Sequence, residues 1–285
     1  MGDRLRELWD FDDLEATHRR LCEQLDGETT DRGRAEVLTQ LARVAGLQGD
    51  TDGAHRLLRR ARSLAGEDGV VRPRLELEHG RTLRSSGDDE AARPAFREAY
   101  DAAVAVGDGW VAADAAHMLA IVAATDEERE AWTQAGVAAA EASDDPVDVY
   151  WVGPLMNNLG WSYLETGRPE DALGAFERAL EVRERDRDHP YEIEIARYAV
   201  AKALLALDRP AEAVTRLERA TTWADDAGIA DGFFHEALAD ALGRVGRDEE
   251  AAAHARVALG LLAEQDPSLA DDVPRAERLR ALAGS

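Results

Sequence analysis

The chain has 285 residues, a formal net charge of −24 at pH 7, and 45% hydrophobic but only 6% aromatic residues. That much negative charge repels a phosphate backbone and an anionic bilayer, which argues against nucleic-acid and membrane partners. The lone Cys22 allows no intramolecular disulfide and gives no sign of an oxidising compartment.

The opening MGDRLRELWDFDDLEATHRR lacks the apolar core of a signal peptide. Later apolar runs are all broken by charges well before the ~18 residues of a membrane span, so a cytoplasmic location is expected. Alanine dominates the apolar residues, which favours helix because alanine loses no side-chain entropy there. A first helix should begin near Asp12 or Asp13, with Leu14, Leu21 and Leu25 on one face and Cys22 as a packing residue.

GDTDG at 49–53 opens like a calcium loop but lacks the later acidic ligands, so Asp50 or Asp52 is expected to cap the next helix. GDTDGAHRLLRRA then spaces Ala54, Leu58 and Ala61 at i, i+4 and i+7, and GDDEAARPAFREA repeats the pattern with Ala92, Phe96 and Ala99. A weaker copy, TDEEREAWTQA, offers Trp132 and Ala135 but has Glu128 at the small position. NNLGWSYLETGRPEDALGAFERAL is the fullest copy. It carries Leu159, Gly160 and Tyr163 on one helix, then Gly167 to stop it, Pro169 to start the next, and Ala172, Phe176 and Ala179 on the second. The charged run RERDRDH at 183–189 reads as the solvated end of that second helix. DRPAEAVTRLERA and GRDEEAAAHARVA complete the series, and PRAERLRALA closes the chain with Leu279 and Leu282.

The closing small residues Ala61, Ala99, Ala135, Ala179, Ala220 and Ala258 are spaced by 38, 36, 44, 41 and 38. A fixed register with variable loops indicates stacked helical hairpins, none able to bury its apolar face alone. The Leu159–Gly160–Tyr163 triplet with Ala172, Phe176 and Ala179 resembles the tetratricopeptide repeat, with spacings like those of longer-repeat subtypes. The resemblance implies an all-α, right-handed α-solenoid of antiparallel hairpins. On this reading residues 1–35 form an N-terminal capping region, 36–265 about six hairpins and 266–285 a C-terminal capping helix, all in one continuous domain.

Catalytic candidates are thin. His235–Glu236 in FFHEALAD is half of a zinc-protease signature, but Ala239 stands where the second histidine is required. Neither a phosphate-binding glycine loop nor a nucleophile elbow occurs. No enzyme activity, cofactor or metal is therefore expected.

The resemblance implies instead that the first helix of each hairpin lines a concave surface. That register selects Arg74 and Arg81 in the second repeat, Trp110 and His117 in the third, Asn157, Asn158 and Trp161 in the fourth, and Tyr198 and Lys202 in the fifth. Asparagine is a mediocre helix former, so two in succession suggest a role, and an amide can both donate to and accept from a peptide backbone. Arginine and aromatic residues suit a protein or peptide partner that is acidic or carboxylate-terminated. Some members of the resembled family clamp a C-terminal carboxylate. Asn158 matches that pattern, but Ile195 and Ala199 occupy places where the clamp needs basic residues. The expected function is a protein-interaction scaffold. The alternative is a regulatory sensor of a small molecule or short signalling peptide, and self-association is left open.

Overall fold

The structure, a computed structural model, describes residues 4–66, 68–185 and 189–284. Among these residues there are fourteen α-helices and no strand. Their contacts divide the chain into two compact units, one ending at Val152 and the other starting at Gly153, one residue inside α8.

The first unit runs α1 (Leu14–Gly27), α2 (Asp31–Leu47), α3 (Thr51–Ala65), α4 (Arg72–Ser85), α5 (Asp89–Val106), α6 (Gly109–Ile121) and α7 (Asp126–Glu141), then a short 3-10 turn over Pro146–Trp151. Asp13 caps α1 by accepting from the Ala16 N–H at 2.8 Å, and Asp50 caps α3 from Gly53 at 2.7 Å. Consecutive helices pair as α2 with α3, α4 with α5 and α6 with α7, while α4 also touches α2 on one side and α6 on the other, forming a layer of first helices. Leu21 is fully buried in the core of α1–α4, with Leu14 and Leu25 partly buried beside it.

Glycine sets how closely α4 and α5 approach. A Cβ on Gly80 would lie 2.5 Å from the Phe96 ring, so only a bare backbone fits. Ala92, Phe96 and Ala99 are all fully buried, as the repeat register requires. The weak copy in α7 is corrected by one residue: Thr133, Gly136 and Ala140 are buried, whereas Ala135 is only half-buried. Trp132 supplies an aromatic one position early. It packs edge-on against Tyr100 at 5.3 Å rather than filling the wedge inside its own hairpin.

The second unit contains α8 (Val152–Glu165), α9 (Pro169–Arg183), α10 (Pro190–Ala206), α11 (Pro210–Asp226), α12 (Gly232–Arg244), α13 (Asp248–Gln265) and α14 (Val273–Ala283). Gly167 takes φ +73°, turning the chain where a side chain would be strained, and Pro169 opens α9. A Cβ on Gly160 would meet Phe176 at 2.4 Å, the same wedge as Gly80 and Phe96. Ala172, Phe176, Ala213, Leu217, Ala251 and Ala255 are buried to within 1%. Of the charged run at 183–189, residues 186–188 lie outside the described residues, and α9 itself stops at Arg183. The first helices α10 and α12 touch each other, and α14 packs on both α12 and α13. Each unit is thus a stack of antiparallel hairpins, the α-solenoid architecture.

Candidate binding faces

The nine residues selected from sequence fall into both units, four in the first and five in the second. In the first unit, Arg81 and His117 sit in a charged ladder across α2, α4 and α6. Arg81 Nη1 donates to Glu78 Oε1 at 2.6 Å and Nη2 donates to Asp114 Oδ1. Arg43 Nε approaches the other Glu78 oxygen at 4.0 Å. Burial alone would weaken the Arg81 proton affinity, but Asp114 and Glu78 outweigh it and hold the guanidinium pKa above its ordinary value. Burial pushes the His117 imidazole down, against the pull of Asp114. The positive charge of Arg81 is thus spent inside the protein, because a buried cation must be paired.

Arg74 and Trp110 lie elsewhere, at the N-terminal ends of α4 and α6. They line a cleft of about 220 Å³ with Arg4, Arg6, Val70, Val106 and Asp148 among its walls. The Trp110 ring stacks on Tyr150 at 5.7 Å and meets Trp151 edge-on at 5.4 Å. Trp151 in turn lies 5.6 Å from His117, so a run of rings joins the cleft to the ladder.

In the second unit, Trp161 and Tyr198 come together with ring centroids 6.2 Å apart. Trp161 also packs edge-on against Phe176 at 5.2 Å, and Tyr198 lies 5.5 Å from Phe234. Burial, with Glu236 and Asp231 nearby, pushes the Tyr198 hydroxyl up. Lys202 is half-buried, and burial lowers its pKa against the attraction of Glu236 and Asp240. Glu236 itself receives Arg275 in a two-pronged ion pair at 2.7 and 2.5 Å. Asn157 is half-buried and Asn158 exposed, one turn before Trp161 on α8.

The sequence reading missed Arg6, Arg43, Tyr150, Trp151 and Arg275. Arg43 could have been found by extending the first-helix register to α2, whereas Arg6 and Arg275 lie outside the repeats and carry no local signal. His235 is buried on α12, its Nδ1 2.9 Å from that of His254, with Nε2 3.4 Å from Asp225. Among the described residues no group of three or more histidine, cysteine, aspartate or glutamate side chains is placed to hold a metal ion. None of the described helices is long and apolar enough to cross a membrane.

A profile of the tetratricopeptide repeat matches residues 151–226. Residues 151–226 thus carry tetratricopeptide repeats. No curated protein matches it in sequence. Among solved structures, the apo form of RapI superposes with a TM-score of 0.76 at 13% identity, covering 98% of this chain and 80% of RapI. The STAND signal-transduction ATPase with a tetratricopeptide repeat sensor from Pyrococcus horikoshii gives 0.73 at 13% identity. That match covers 91% of this chain but only 41% of the ATPase. BtubC from P. vanneervenii gives 0.63 at 17% identity, covering 75% of this chain and 92% of BtubC. At these identities the likeness is one of fold.

Proposed function

We propose that this tetratricopeptide-repeat chain is a non-enzymatic interaction scaffold that holds a protein or peptide segment along its first helices. The observation that carries the reading is the exposed Asn158 beside the half-buried Trp161–Tyr198 pair, a polar and aromatic surface on the first-helix layer of the second unit. Aromatic anchors of this kind dominate binding energy in known interfaces. An acidic or carboxylate-terminated partner is the class we favour. That part of the reading rests on Arg6, whose Nε and Nη2 meet no acceptor among the described residues, rather than on Arg81, whose charge Glu78 and Asp114 already consume.

The test starts from a partner segment captured from the source cell and mapped with synthetic peptides. Trp161→Ala and Asn158→Ala should each weaken its affinity, Trp161→Ala by about 2 kcal/mol or more. Glu177→Ala, on the exposed side of α9, should leave it unchanged. A partner that ignores both first-helix changes and responds to Glu177→Ala would refute the proposal. Arg81→Glu is a poor test, since it would set a third carboxylate beside Glu78 and Asp114. A sensor role is the second reading, supported by the fold shared with part of a STAND ATPase that has a tetratricopeptide repeat sensor.

A further inference from the structure

Residues 4–9 lie outside every repeat, yet their side chains run along the first-helix layer of the first unit. Glu36 and Gln40 on α2, Arg74 and Glu78 on α4, and Trp110 and Asp114 on α6 hold equivalent places in that layer, 38 and 36 residues apart. Arg4 pairs with Glu36 at 2.7 Å and with Glu28 at 2.5 Å. The Arg6 guanidinium carbon lies 3.8 Å from the centre of the Trp110 ring, and Trp9 Nε1 donates to Gln40 Oε1 at 2.8 Å. Between the two arginines, Leu5 is 3% exposed, in one core cluster with Val37, Leu41, Val71 and Leu75.

The face thus offers two places for a cation and one between them for an apolar side chain. Glu28 and Glu36 make the first cation place. The indole of Trp110 makes the second, since the face of an aromatic ring attracts a guanidinium. Without Arg4 and Arg6 the cleft beside Trp110 would keep Glu36, Asp108 and Asp148 against Arg74 alone, an acidic surface. The net charge of −24 adds a long-range attraction for a basic segment.

The present occupant is held in a way that lets it leave. Its backbone closes one 3-10 turn on itself, Leu8 N–H to Leu5 O and Trp9 N–H to Arg6 O, both at 3.1 Å, so release breaks no α-helix. The residue that follows is fixed. Asp10 N–H donates to Thr17 Oγ1 at 2.8 Å and Asp13 caps α1, which puts the hinge between Trp9 and Asp10. The fit is also incomplete. Arg6 Nε and Nη2 are buried with no acceptor among the described residues, and so is Nε2 of Gln40, a residue 3% exposed. Unmatched buried donors cost free energy, and a segment offering acceptors there would recover it.

We infer that the first-helix face of the first unit reads an arginine–leucine–arginine segment, that the chain's own residues 4–9 fill it, and that a partner segment of the same chemistry competes with them. Residues 4–9 then act as a built-in competitor that sets a threshold, because a tethered segment competes at an effective concentration on the order of millimolar. The inference goes beyond the scaffold reading and is confined to the first unit. It asks for a basic segment where that reading favours an acidic one, so either can fail alone.

The probe is the amidated peptide Arg-Leu-Arg-Glu-Leu-Trp with fluorescein at its N-terminus, titrated with the full chain and read by fluorescence anisotropy. Arg4→Glu/Arg6→Glu sets new carboxylates against Glu36 and Asp148 and frees the face. This variant should bind the peptide at least about tenfold tighter than the parent does. Adding Glu36→Arg should remove that gain. Arg97→Glu, a reversal on an exposed arginine of α5 paired with Asp101, should bind as the parent does. The same peptide with both arginines replaced by glutamate should not bind. Leu5→Ala, which shortens the apolar anchor, is the second release variant and should also bind more tightly than the parent, whether or not the first melts normally. Equal binding of the basic and charge-reversed peptides overturns the inference, as does equal affinity of the parent and the release variants. A parent dimer that the peptide dissolves would give the face to residues 4–9 of a second copy and overturn the partner assignment.

Discussion

Replacing Gly160 with alanine adds one methyl at the tightest approach inside the α8–α9 hairpin. Its carbon would lie 2.4 Å from Cε1, 2.6 Å from Cδ1 and 2.8 Å from Cζ of Phe176. Non-bonded carbons settle at ~3.5–4.0 Å, so the ring would have to retreat by about 1 Å. It has little room to do so, since Phe176 is fully buried and Trp161 packs against it edge-on. Overpacking of this kind costs about 1–3 kcal/mol. Alanine also recovers about 0.8–1.0 kcal/mol of helix propensity relative to glycine. The net expectation is a loss of up to about 2 kcal/mol.

Gly174, exposed on α9 with nothing within 4 Å of its would-be Cβ, provides the matched control. Gly174→Ala keeps the propensity gain without the clash, so it should stabilise the chain. The difference between the two variants cancels propensity and isolates the overpacking, about 1–3 kcal/mol. Urea unfolding followed by far-ultraviolet circular dichroism reads both. A double-mutant cycle with Phe176→Leu should show the methyl tolerated better beside the smaller side chain. If Gly160→Ala stabilises as Gly174→Ala does, the close approach assigned to this hairpin is wrong.

Ala172→Leu, at a fully buried position of the same hairpin, should destabilise by about 1–3 kcal/mol, seen as a lower melting temperature. Asp148 is 5% exposed, and burial, reinforced by Asp145 and Asp108, raises its carboxyl pKa. Folding then binds the proton more tightly, so its contribution to stability falls as pH rises above the ordinary carboxylate range; Asp148→Asn should remove that slope and be the more stable form at pH 7. Burial lowers His117, and burial with His235 nearby lowers His254. Their contribution is present above the ordinary imidazole pKa of ~6.5 and is lost as pH falls through it. Comparing urea midpoints of the parent and a His117→Gln/His254→Gln variant across that range should show a steeper acid loss in the parent.

The hairpin interiors were readable because their constraints are local. Gly160 and Phe176 lie within one repeat, and the same spacing returns in Gly80 and Phe96. A helix start at Asp12 or Asp13 and a cap at Asp50 or Asp52 were readable for the same reason, since a cap contacts N–H groups only two or three residues on; the structure picks Asp13 and Asp50. The register of α7 was not, because Trp132 imitates the wedge aromatic one place early and the buried small residue is Gly136. The candidate site was harder still. A first-helix position can be selected from periodicity, but what its side chain touches depends on residues a whole repeat away. Asp114, which absorbs the charge of Arg81, is 33 residues further on. The cleft at Trp110 depends on Arg6, which belongs to no repeat and has no periodic partner to announce it.

Lys202 is the only lysine in the chain, half-buried on α10 among charged neighbours. Isotopically labelled lysine would therefore give one side-chain spectrum from one known place, with no overlap to resolve. A segment seated near Tyr198 would be reported by a single set of resonances without any assignment campaign. The same scarcity limits covalent mapping. Amine-directed cross-linkers would find one shielded side chain on a surface otherwise dressed in arginine and carboxylate. Partners of this protein are better trapped through carboxyl-directed chemistry, which has 58 aspartate and glutamate side chains to choose from.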